Sequence, residues 1–189
     1  RLGDGGVAAR DIETRFGEQG LRIEDPSGLW FELVGSDGDS RPPWNGGGIG
    51  PNEAIRGLHS VTMVVRSLEQ TLELMTQLLG YTIVGEAENR TRVAVGGNGP
   101  GHLIDIEVQP DATSAINGIG TVHHVAMAIS SGDEQRRLRE ELLGLGVNVT
   151  DIRDRCYFES IYFREPGGVL FEVATIRSEE HTSEFQSRF

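Results

Sequence analysis

DIRDRCYFESIYFREPGGVLFEVA, residues Asp151 to Ala174, decides the fold because the chain carries this stretch twice. The earlier copy is DIETRFGEQGLRIEDPSGLWFELV, Asp11 to Val34, and the two align without a gap. Asp11, Ile12, Arg15, Pro26, Gly28, Phe31 and Glu32 recur as Asp151, Ile152, Arg155, Pro166, Gly168, Phe171 and Glu172. Identity at both turn residues and both ends marks a structural repeat. Asp25-Pro26-Ser27-Gly28 and Glu165-Pro166-Gly167-Gly168 read as turns between antiparallel strands.

A second repeat opens each unit. GLHSVTMVV (Gly57 to Val65) matches TVHHVAMAI (Thr121 to Ile129), with His59 opposite His123 and Ser60 opposite His124. Leu68, Leu72, Met75, Leu78 and Leu79 then recur at helical spacing. Glu134 to Leu143 is the corresponding helix of the later copy, ended by Gly144 or Gly146. Strands follow at Tyr81–Val84, Thr91–Val95 and Leu103–Val108, and again at Val147–Ile152, Tyr157–Arg164 and Val169–Thr175. The unit is therefore βαβββ, an α+β fold of cupped antiparallel or mixed sheets. We expect the terminal strands of an earlier module at 1–35, a Gly/Pro-rich linker at 36–55, one full module at 56–110 and another at 111–176. Arg177 to Phe189 (RSEEHTSEFQSRF) resembles the translation of a sequencing adapter, so it is set aside as non-native and His181 is not a ligand candidate.

Bulk properties narrow the function. A net charge of −12 over 189 residues disfavours nucleic acid and anionic membranes as partners. Twenty-six glycines suit short strands and tight turns better than a helical bundle. The single cysteine, Cys156, permits no intrachain disulfide and points to a reducing cytoplasm.

Strand parity selects which side chains can share a site. Val125, Met127 and Ile129 form one face, and His124, Ala126 and Ala128 the other, where two alanines leave an open floor. Phe171 and Val173 point to the core, so Glu172 points away. Ile161 and Phe163 are core, so Tyr162 faces the other side. His124, Glu172 and Tyr162 are thereby expected on one cupped face. A neutral imidazole and a carboxylate suit a divalent metal, and two histidines with one carboxylate make the open-sided set of non-haem Fe(II) oxygenases.

The βαβββ repeat, with His opening one strand and Glu closing the last, resembles the vicinal-oxygen-chelate (glyoxalase/bleomycin-resistance/dioxygenase) superfamily. GTVHHVAM followed by DRCYFESIYFREPGGVLFEVAT resembles its hydroquinone-type ring-cleaving dioxygenases. That resemblance implies His124 and Glu172 as metal ligands, Tyr162 as an active-site residue, and Arg155 and His123 close behind them. It implies Fe(II) or Mn(II) as the metal, and an aromatic diol and O₂ as partners. It also implies four modules in full-length relatives. On that reading the chain lacks the first module and the third ligand that module supplies, and its uncovered cup and strand edge favour self-association into a homo-oligomer.

Competing readings are a glyoxalase-like metal-dependent isomerase or thiol transferase, and a metal-free module that sequesters an aromatic compound. The repeat contains its own control. The earlier copy keeps Glu32 but has Arg22 where Tyr162 stands, and the next unit has Ser60 where His124 stands. His59 shares the face of Val61, Met63 and Val65. Only the last module is expected to carry chemistry.

Overall fold

The computed structural model describes residues 6–114, 116 and 118–175. The segment Arg177–Phe189 lies outside the described residues. The chain divides between Val122 and His123 into two compact units.

The first unit holds two sheets. One is the antiparallel sheet β1 (Ala9–Arg15), β2 (Glu18–Glu24) and β3 (Trp30–Val34). The other is ordered β4 (Ser60–Val65), β7 (Leu103–Val108), β6 (Arg90–Ala94), β5 (Thr82–Ala87), with β4 and β7 parallel and the other pairs antiparallel. Between β4 and β5 run α1 (Glu69–Glu73) and a π-helical turn, Leu74–Leu78. Met63, Val65, Leu74, Met75, Val93, Ile104 and Ile106 form the buried core of this unit. The connecting stretch after β3 is tied by its own bonds: Arg41 donates to Leu58 O, Arg56 donates to Arg41 O, and Trp44 N–H donates to Ile55 O.

The two sheets of this unit are fastened by Phe16 and a line of charges. Phe16, at the β1–β2 turn, has φ of 50° and lies under the Arg92 guanidinium, 4.2 Å from ring centre to Cζ. Gly85 makes that approach possible, since a Cβ there would stand 2.8 Å from Phe16 Cδ1. Arg92 grips Asp105 through Nε and Nη2 (2.6 and 2.9 Å) and Glu18 through Nη1 (2.7 Å). Glu18 in turn meets His59 Nε2 at 2.9 Å. His59 Nε2 is therefore occupied by the Glu18 carboxylate.

The second unit repeats the plan with one sheet, ordered β8 (Val125–Ile129), β11 (Leu170–Thr175), β10 (Glu159–Arg164), β9 (Arg153–Asp154). β8 runs parallel to β11, while β10 is antiparallel to both its neighbours. Helix α2 (Gly132–Gly144) begins at Ser131, whose hydroxyl accepts the Glu134 N–H, a standard N-cap. Leu142, Val149, Ile161, Phe163, Phe171 and Val173 are buried, and Phe163 meets Phe171 edge to face at 5.7 Å.

Both acid-Pro-x-Gly turns form as expected. Gly28 N–H donates to Asp25 O and Gly168 N–H to Glu165 O. Each acid side chain also caps its turn. Asp25 Oδ1 accepts from Ser27 and Leu29, and the two Glu165 carboxylate oxygens accept from Gly167 and Val169. Gly28 (φ 87°) and Gly168 (φ 96°) occupy the left-handed region that favours glycine.

Several boundaries differ from expectation. The opening strands begin at Ser60 and Val125, inside the matched stretches, so that His124 stands just before its strand and does not open it. Their parallel partners become strands only after the turns at Gly101 and Gly168, although the Gly101 N–H already donates to His59 O. The strand expected at Val147–Ile152 shrinks to one bridge, Val149 with Phe163, and a two-residue β9. Thr150 explains the break: its Oγ1 accepts the Tyr162 N–H, and its carbonyl is taken by Arg139 Nε.

Candidate metal centre

Strands β8, β11 and β10 bring their polar positions into register. Glu172 stands directly opposite Tyr162 on one side and Ala126 on the other. His124 immediately precedes β8. Its Nε2 lies 2.7 Å from Glu172 Oε2, with the histidine one-third exposed and the carboxylate nearly buried. Tyr162 Oη donates to the other oxygen, Glu172 Oε1, at 2.6 Å. The His124 and Tyr162 rings meet edge-on, 6.0 Å between centroids.

A second rank supports these three. Arg155 Nη2 donates to Tyr162 Oη at 3.2 Å, and its Cζ lies 5.4 Å from the tyrosine ring centre. His123 Nδ1 and His124 Nδ1 are 2.9 Å apart, with the two rings perpendicular. His123 lies two residues before the strand, one step beyond His124, and reaches the site despite sharing the parity of Val125. All five residues singled out from the sequence thus lie together. Ser160 joins them: fully buried, its Oγ stands 3.4 Å from Tyr162 Oη. Its position two residues before Tyr162 on the same strand face was the available signal.

The donor set fits a divalent metal. Donors on adjacent corners of an octahedron, with bonds of about 2.1 Å, stand about 3 Å apart. The separation of His124 Nε2 and Glu172 Oε2 is close to that. A nearly buried carboxylate beside a histidine, facing a floor of exposed Ala126 and Ala128, also leaves room for one. Among the described residues, no group of three or more His, Cys, Asp or Glu stands ready to hold a metal.

The sister module shows the alternative. Glu32 faces Arg22 across the strands in the register in which Glu172 faces Tyr162. Both Glu32 oxygens are taken, by Arg22 Nη2 at 2.6 Å and Arg15 Nη1 at 2.9 Å. Burial pushes the Glu32 carboxyl up, but the two arginines outweigh it and hold it below its ordinary 4.5. This pairing therefore contributes stability above pH 4.5 that is lost as the pH falls through the folded-state value. Glu32→Gln is expected to flatten the acid limb of the stability curve in urea melts from neutral pH downward. An unchanged limb would show that Glu32 is not linked to folding.

A repeated βαβββ unit, each copy closed by a parallel pair of strands and the last gathering His, Glu and Tyr on one face, defines the vicinal-oxygen-chelate class. A family model described as the Glyoxalase/Bleomycin resistance protein/Dioxygenase superfamily matches residues 57–173, and the chain belongs to that superfamily. It is 35% identical to Bacillus subtilis MhqO, provisionally named a ring-cleaving dioxygenase, over 161 residues, 85% of this chain and 51% of that protein. It is 34% identical to the chlorohydroquinone/hydroquinone 1,2-dioxygenase of Sphingobium indicum over 174 residues, 89% of this chain and 54% of that one. A crystal structure of a provisionally assigned dioxygenase from Bacillus subtilis superposes with a TM-score of 0.85 at 32% identity, covering 100% of this chain and 61% of that chain. The fosfomycin resistance protein FosX of Listeria monocytogenes shares the fold, with a TM-score of 0.53 at 24% identity over 67% of this chain and 98% of its own. The chain spans about half the length of the curated relatives it matches. No helix among the described residues is long and apolar enough to cross a membrane.

Proposed function

We propose that this chain carries the larger part of the active site of a ring-cleaving, extradiol-type dioxygenase that opens a hydroquinone or catechol ring with O₂. The observation that carries the reading is the Glu172 carboxylate, one oxygen against His124 Nε2 and the other against the Tyr162 hydroxyl. Kinship with the named dioxygenases supports it. His124 and Glu172 are two ligands of a non-haem Fe(II) or Mn(II), and the third comes from outside the described residues. The metal, when bound, brings diol and O₂ together on one centre and lets electron density pass between them.

The chain's own residues do the rest. Tyr162 Oη, between Arg155 and Glu172, is placed to hold or move a proton at a phenolic oxygen of the substrate. Arg155, 5.4 Å from the tyrosine ring, fixes that phenol and adds positive charge beside a developing oxyanion. His123 orients His124 through their Nδ1 contact. Ala126 and Ala128 leave space for a flat ring. A lone exposed cysteine, Cys156, suits a reducing cytoplasm.

The test is oxygen uptake with hydroquinone after anaerobic Fe(II) loading. It is run on a polypeptide extended to the full length of the curated relatives and on the 189-residue chain beside it. Uptake by the extended protein and none by the chain alone is expected. No uptake by either would sink the dioxygenase reading. Robust uptake by the chain alone would place the third ligand within it.

A further inference from the structure

The two glutamates of the repeat share one register and one arginine position, yet only one of them is left able to take a cation. Glu32 has Arg22 opposite and Arg15 beside it, and both arginines donate to its carboxylate. Glu172 has Tyr162 opposite and Arg155 at the matching position, but Arg155 does not reach the carboxylate. It donates to Tyr162 Oη instead, and Tyr162 alone passes the contact on to Glu172 Oε1. A phenol is a neutral donor. It satisfies Oε1 without cancelling the charge, and it leaves Oε2 aimed at His124 Nε2.

We propose that Tyr162 is the positioning residue that makes Glu172 a metal ligand. It confines the metal to Oε2, keeps the carboxylate's full charge, and holds Arg155 off it. In this chain the residue opposite the glutamate, tyrosine or arginine, thus separates the carboxylate left open to a cation from the one closed by arginines. This rests on the metal-centre reading above.

The geometry gives three reasons. First, a carboxylate whose Oε1 is held at 2.6 Å by a hydroxyl is poorly free to rotate into a two-oxygen grip. Second, a guanidinium forms paired bonds that match a carboxylate's two oxygens, as Arg22 and Arg15 show at Glu32, whereas a single hydroxyl can take only one. Third, Tyr162 is itself fixed from behind. Arg155 donates to Oη and lies over the ring, and the buried Ser160 hydroxyl stands 3.4 Å away. A phenol held this way orients its neighbour at little entropic cost.

The experiment titrates Cu(II) alone into the 189-residue chain and reads affinity and electron paramagnetic resonance spectrum. Copper is chosen because its affinity for nitrogen and oxygen donors exceeds that of the other first-row divalent ions, so that two ligands suffice. His124→Ala and Glu172→Gln serve as site controls. Tyr162→Phe is expected to weaken binding roughly 10- to 100-fold and to shift the spectrum, as loss of a ligand-orienting hydrogen bond does. Tyr162→Arg is expected to abolish binding at this site. Tyr162→Phe binding with wild-type affinity and spectrum, or Tyr162→Arg binding at all, would overturn the proposal and leave the metal centre standing. Copper binding that ignores both site controls, or no binding by the wild-type chain, would overturn the metal centre and the proposal with it.

Discussion

Glu172→Gln is expected to abolish specific metal uptake while leaving the fold as stable as before, or more so. The carboxylate is nearly buried, and a buried charge without its metal is a burden on the folded state. Glutamine has the same shape. Its carbonyl can still accept from Tyr162 Oη, and its amide can still face His124. What disappears is the negative charge that balances a divalent ion. Altering a residue that merely orients a ligand costs roughly 10- to 100-fold in metal affinity, so losing the ligand should cost about 100-fold or more. Oxygen uptake by the extended protein should fall with metal content. The checks are metal analysis after dialysis and a thermal melt of the metal-free variant. A variant that keeps its metal would remove Glu172 from the ligand set. A variant that loses metal only because it unfolds would show it in the melt.

The largest expected effect on stability lies far from that site along the chain, in the first unit. Asp105→Ala should destabilise this unit by about 3–5 kcal/mol, the usual consequence of leaving one partner of a buried ion pair alone. Arg92 and Asp105 are 7% and 3% exposed, and Asp105 supplies two of the three bonds that hold the guanidinium. Burial by itself would lower the Arg92 pKa, but its bonds to Asp105 and then Glu18 raise it, and a guanidinium stays protonated inside a protein even when a partner goes. Replacing both members of the pair by apolar residues, as Arg92→Met with Asp105→Leu, should recover most of the loss. The measurement is urea unfolding of the single and double variants. A single variant within about 1 kcal/mol of wild type would mean that Glu18 alone satisfies Arg92.

Much of the site was legible in the sequence because strand parity and an internal repeat are strict. Alternation put His124, Glu172 and Tyr162 on one side of the sheet, and the repeat supplied Glu32, Arg22 and Ser60 as a comparison. Parity failed only at His123. That residue lies two positions before β8 begins, one step beyond His124, which still keeps the strand's alternation. Arg155 was ambiguous for a different reason. Its repeat partner Arg15 does pair with a carboxylate, whereas Arg155 donates to a phenol, a difference that arises only in the folded chain. The Glu18–Arg92–Asp105 chain was invisible because it joins residues from β2, β6 and β7 with no shared motif. The strand expected at Val147–Ile152 was lost where a threonine side chain replaces a backbone partner, a tertiary fact that no local pattern reports.

The parallel pairing of each module's first and last strands has a consequence for how the protein is made. β8 leaves the ribosome well before β11, yet β11 is its neighbour in the sheet, as β7 is for β4. A nascent module can fold its helix and hairpin early, but its opening strand must wait, edge bare, until the last residues of the module emerge. His124 waits with it, since Glu172 is synthesised near the end of the same stretch. During translation this opening strand is therefore the segment most exposed to wrong partners, including the matching strand of a neighbouring nascent chain.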